Sequence, residues 1–68
     1  MKTAVIKFIA KNGKTYGYLS EEKTIVLPKR NAMQGNAEYM HGVAYGLTFA
    51  IRFYEDDFID RAEIEEVE

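Results

Sequence analysis

Apolar and polar positions alternate along this chain in two different periods. Thr3 to Ala10 reads T-A-V-I-K-F-I-A, rich in β-branched residues and polar only at Thr3 and Lys7. So nearly continuous an apolar run predicts a strand buried on both faces for part of its length. Asn12-Gly13 follows, a pair that tolerates positive φ and predicts a hairpin turn. Lys14 to Leu19 resumes the strand pattern, with Tyr16 and Tyr18 on one face and Thr15, Gly17 and Leu19 on the other. A glycine inside a strand, here Gly17, marks a bulge or a close backbone approach. Ser20 to Lys23 is a polar turn, and Thr24 to Leu27 is a third short strand ended by Pro28. Together these predict a β-meander over residues 3–27.

Pro28 to Asn36 is a loop by composition. Asn36 is a suitable helix N-cap, and Glu38 falls in the first turn, where its charge favours the helix dipole. From Ala37 the period lengthens. Leu47 to Phe53 taken alone alternates as a strand would. Over the longer window, Met40, Val43, Ala44, Leu47, Ala50, Ile51, Tyr54 and Phe58 recur at three- and four-residue spacing, with His41, Thr48, Arg52 and Glu55 opposite. A strand here would also leave a long structureless stretch after Pro28, uncommon in so small a domain. The spacing therefore predicts one helix over residues 37–56. Gly42 and Gly46 each cost it about 1 kcal/mol against alanine, which points to a packing role. Beyond Asp57 the helical phase is lost. Residues 61–67 predict an edge strand, with a frayed acidic helix as the alternative. The expected fold is α+β: a three- or four-stranded antiparallel sheet against one long helix, with a C-terminal edge strand, in a single domain spanning 1–68.

At 68 residues such a domain has a marginal core. The chain has no cysteine and one histidine, His41, which excludes disulfides and cysteine-based zinc sites. Idealised packing or oligomerisation is left as the stabiliser. A hydrophobic content of 47% is too high for a disordered chain. Lys7 interrupts the N-terminal apolar stretch, and no run approaches the roughly 20 residues of a membrane span. The expected setting is cytoplasmic. Net charge is only −2, yet residues 1–35 carry seven cations against two acids, and residues 36–68 carry two cations against nine acids. Such polarity suits a basic or an acidic docking surface, or two halves that neutralise each other.

Three clusters are candidates for function. Lys29, Arg30, Asn31, Gln34 and Asn36 sit directly before the helix, whose unpaired N–H groups attract anions, so a phosphate-bearing small ligand is one reading. The loop lacks the glycine and lysine spacing of a P-loop. Gly42, Tyr45, Gly46, Phe49 and Phe53 form a second apolar helix face. Small residues there let another backbone approach, and the aromatics favour an interface with a second copy or a protein partner. The acidic end, Glu55, Asp56, Asp57, Asp60, Glu63, Glu65, Glu66 and Glu68, can engage a basic protein surface. It lacks the calcium-loop spacing and its turn glycine.

No catalytic constellation emerges, since His41 and the lone serine, Ser20, have no partner of the right kind beside them. No metal or cofactor is expected. Tyr16, Tyr18 and Phe8 lie among Lys7, Lys11 and Lys14, which allows single-stranded nucleic-acid binding, although the isoelectric point near 5.4 speaks against it. The leading expectation is a non-enzymatic, homodimeric protein-binding module, a regulator or inhibitor of the phage or mobile-element kind. A phosphate or nucleotide binder is second and a nucleic-acid binder third.

Overall fold

Residues 2–67 are described by a computed structural model. Thr3–Ala10 forms β1, with the predicted boundaries, and Ala4, Val5 and Ile6 within it are completely buried. The remaining elements in chain order are β2 (Thr15–Leu19), β3 (Ile25–Val26), β4 (Gly35–Asn36), α1 (Ala37–Phe53) and β5 (Ile59–Val67). The segment predicted as plain loop contains a 3₁₀ turn at Lys29–Asn31 and the short strand β4.

All strands pair antiparallel. β5 follows one edge of β1 from Thr3↔Val67 to Ala10↔Ile59. The other edge is shared, with β4 beside Thr3 and Ala4 and β2 beside Lys7 to Ile9. β3 adds to the outer side of β2. The meander and the C-terminal strand therefore follow the sequence pattern, although β5 starts two residues before the predicted stretch. In the first hairpin only Gly13 takes positive φ, at 88°. Asn12 contributes instead through its side chain, which accepts from the Lys14 N–H at 2.9 Å. Tyr16 is an extra residue opposite the step Phe8–Ile9, and Asp60 is another opposite Ile9–Ala10. Two bulges at the same end of β1 curl the sheet there.

Alternation along β1 sends Ala4, Ile6 and Phe8 to the helix side, where they pack with Met40, Ala44, Ile59 and Ala62. Val5, Lys7 and Ile9 face the other way. Tyr18 pairs with Lys7 and so lies on that far face, whereas Leu19 packs into the helix-side core.

The helix begins where Asn36 Oδ1 accepts the N–H groups of Glu38 and Tyr39 at 2.9 and 3.2 Å. It ends at Phe53, three residues before the predicted boundary. Glu55 turns into the left-handed region at φ 54°, and the Asp56 N–H reaches back to the Ile51 carbonyl at 3.2 Å. The apolar stripe is corrected accordingly. Met40, Val43, Ala44, Leu47 and Ile51 hold the core, whereas Tyr54, the C-cap just before the reversal, and Phe58, past it, are both exposed.

The glycines separate into two kinds. A Cβ on Gly17 would overlap Ile25 Cγ2 and lie 3.1 Å from the Val26 carbonyl oxygen, while one on Gly42 or Gly46 would meet nothing within 4 Å. Gly17→Ala should therefore lower stability by about 1–3 kcal/mol through overpacking. Gly46→Ala should raise it by up to about 1 kcal/mol through helix propensity. Urea denaturation of both variants checks the opposite signs.

Candidate functional site

The helix carries two apolar faces, and the sheet covers only one. Opposite the core stripe, Tyr45, Phe49 and Phe53 remain 76%, 68% and 68% exposed. Phe49 and Phe53 stack at a centroid distance of 6.1 Å, and Tyr54 meets Phe53 edge-on at 5.2 Å. The three rings thus form a preassembled cluster at the C-terminal end of α1. Gly46 lies about one turn before this cluster and Gly42 about one turn further, and both are exposed. All five residues singled out from the sequence as an interface fall on this open side.

The helix is also off-centre. It packs chiefly on β5 and less on β1. On the far flank, Phe8, Leu19, Ile25, Met33, Val43 and Leu47 are left lining a groove of about 500 Å³, with Tyr39 and Lys23 at its rim. On the β5 flank, His41, Tyr45 and Thr48 overlook a shallower cleft of about 380 Å³ floored by Ala62 and Ile64, with Arg61 and Glu63 at its side. His41 has no carboxylate partner there among the described residues.

Thr48, assigned to the polar side of the helix by its spacing, faces β5. Its hydroxyl donates to the Ala62 carbonyl and accepts from the Ala62 N–H, both at 2.9 Å. Both backbone groups of Ala62 therefore point away from β1, and one side chain satisfies both. A lone threonine in an apolar helix gives no sequence signal for such a partner.

The basic loop is engaged with its own chain. Lys29 forms an ion pair with Glu65, and Lys7 approaches the same carboxylate at 3.3 Å. These contacts pin the 3₁₀ turn over the far face of the sheet. The hydrogen bond from Lys29, then that from Lys7, hold the Glu65 carboxyl below the usual carboxylate range, and the bond with Glu65 raises the Lys29 ammonium. Asn36 uses its side-chain oxygen on the helix N–H groups where an anion would bind. Arg30, Asn31 and Gln34 are exposed.

The acidic end is likewise divided. Asp56 Oδ1 accepts the N–H groups of Ile59 and Phe58 at 2.7 and 2.8 Å, which lowers its pKa and fixes the turn into β5. Asp60 and Glu63 both bind Arg61, at 2.8 and 2.7 Å, and Glu66 reaches Lys2 at 3.4 Å. Asp57 is exposed, and Glu68 lies outside the described residues. The opposed charges of the two sequence halves thus meet within one chain at Lys2, Lys7 and Lys29. Among the described residues no three histidine, aspartate or glutamate side chains gather as a metal site, and no helix is long and apolar enough to cross a membrane.

No family model matches the chain, and neither a curated protein nor a solved structure is significantly similar to it.

Thr48→Val keeps the shape of the side chain and strands the Ala62 N–H and C=O, so stability should fall by about 1–3 kcal/mol in thermal or urea unfolding. For Glu65 the folded pKa is depressed. Its stabilising contribution is present above the ordinary carboxylate pKa and is lost as pH falls through the depressed value. Melting temperatures of the native protein and of Glu65→Gln should therefore differ near neutral pH and converge towards about pH 2. A constant gap across that range would show that the ion pairs do not carry the difference.

Proposed function

We propose that this chain is a non-enzymatic protein-interaction module that self-associates through the outer face of α1. The observation that carries this reading is the open aromatic and glycine face, which nothing among the described residues covers. Tyr45, Phe49 and Phe53 on the helix, with Tyr54 at its end, are each at least about two-thirds exposed. At roughly 200 Å² per aromatic side chain, they leave about 600 Å² of ring-bearing surface in water. One partner in a standard interface buries about 800 Å². The whole chain exposes 4905 Å², whereas a compact folded monomer of this mass exposes about 4,400 Å².

A small domain gains stability by removing such surface from solvent, which favours an obligate or readily formed oligomer. Regulators and inhibitors are the functional class that suits a chain of this size with one dominant contact face. The phosphate reading has less support, because Lys29 is neutralised by Glu65 and the helix N-terminus is capped by Asn36. The acidic end is largely occupied with Arg61, Lys2 and the turn at Asp56, so the helix is the working surface.

Sedimentation equilibrium and native mass spectrometry test this. The expected result is a species heavier than the 7.8 kDa chain. Phe49→Asp with Phe53→Asp should return it to monomer while circular dichroism keeps the native helix signal. A native chain that stays monomeric at high micromolar concentration would overturn the reading.

A further inference from the structure

The outer face of α1 has an internal order that specifies its occupant. Glu38, Gly42, Tyr45, Phe49 and Arg52 follow one another at spacings of four, three, four and three residues, and all five are exposed. That is the spacing of a coiled-coil seam. Its centre is apolar, one end is acidic and the other is basic. We infer that the occupant is a second copy of this chain, with the two α1 helices antiparallel and the two-fold axis passing at Tyr45. This rests on the self-association proposed above and adds its geometry.

Three features fit that register and no parallel one. Glu38 and Arg52 each lie seven residues from Tyr45, about 10.5 Å along the axis. An antiparallel pair therefore sets Glu38 of each copy level with Arg52 of the other. Glu38 has no ion pair among the described residues, and Arg52 has only a 3.8 Å approach to Asp60 and is itself 63% exposed. Gly42 and Phe49 lie three and four residues from Tyr45, so they come level to within about 1.5 Å. The Phe49 ring then enters the space left by the missing Cβ of Gly42, which meets nothing within 4 Å in its own chain. A parallel pair would instead set Glu38 against Glu38, Arg52 against Arg52 and Phe49 against Phe49, which combines like charges at both ends with a void at Gly42.

Because the chain has no cysteine, introduced thiols report the register cleanly. Under mild oxidation Tyr45→Cys should form a covalent dimer by itself. Glu38→Cys and Arg52→Cys should each remain monomeric on a denaturing gel and cross-link only when mixed. Self-cross-linking of either single variant, or no cross-link in the mixture, overturns the antiparallel register. Glu38→Arg and Arg52→Glu should each weaken the dimer about tenfold by setting like charges together, and the double reversal should restore it. Gly42→Ala separates interface from fold. It should raise the melting temperature of the dissociated chain and still weaken the dimer, whereas unchanged association would remove Phe49 from that position. If the native chain is itself monomeric, the proposed function fails together with this register. If it is dimeric but the charge reversals do not compensate, self-association stands and the register alone falls.

Discussion

The structure depends on β1 being hydrogen-bonded along both edges. Every other strand except β3 pairs with it directly, and the helix is positioned through Ala4, Ile6 and Phe8 on one of its faces. Both faces of β1 are covered as well, with Ala4, Ile6 and Phe8 buried on the helix side and Val5 and Ile9 buried on the far side, so its side chains are apolar on both sides and Lys7 is held in an ion pair with Glu65. Of the strand pairings among the described residues, that of β1 with β5 has the longest sequence separation, so a long loop must close before this ladder can form, whereas the β1–β2 hairpin and the packing of α1 on β5 are local.

Much of this was legible from residue pattern, and the reason differs from element to element. The β1 run and the helical stripe from Met40 to Ile51 are signals carried by many side chains at once, so neither depends on any one residue. Asn36 was legible as a cap because capping is a local interaction. The end of the helix was not, because Phe58 keeps the apolar period although the backbone has already reversed at Glu55. Periodicity reports what a segment would bury if it continued as a helix, and it is silent on where the backbone turns.

The candidate sites divide in the same way. The second apolar face was readable because Phe49 and Phe53 fall opposite the core stripe at any helical phase that buries Met40 and Ala44. The basic loop and the acidic end were recognisable as charge clusters, but their long-range partners were not. Lys29 meets Glu65 only because β5 lies against β1 and carries that carboxylate to the far face. The seam from Glu38 to Arg52 is a pattern of five exposed residues that became visible once the opposite face was known to be the buried one.

Thr48 has a consequence beyond the fold. A nine-residue edge strand such as β5 offers a template for unlimited strand addition, the route by which folded domains grow into fibrils. The hydroxyl of Thr48 occupies the outward N–H and C=O of Ala62 near the middle of that edge. A strand added along that edge would have to displace the Thr48 hydroxyl or leave both outward groups of Ala62 without a partner of its own, which weighs against growth along the sheet.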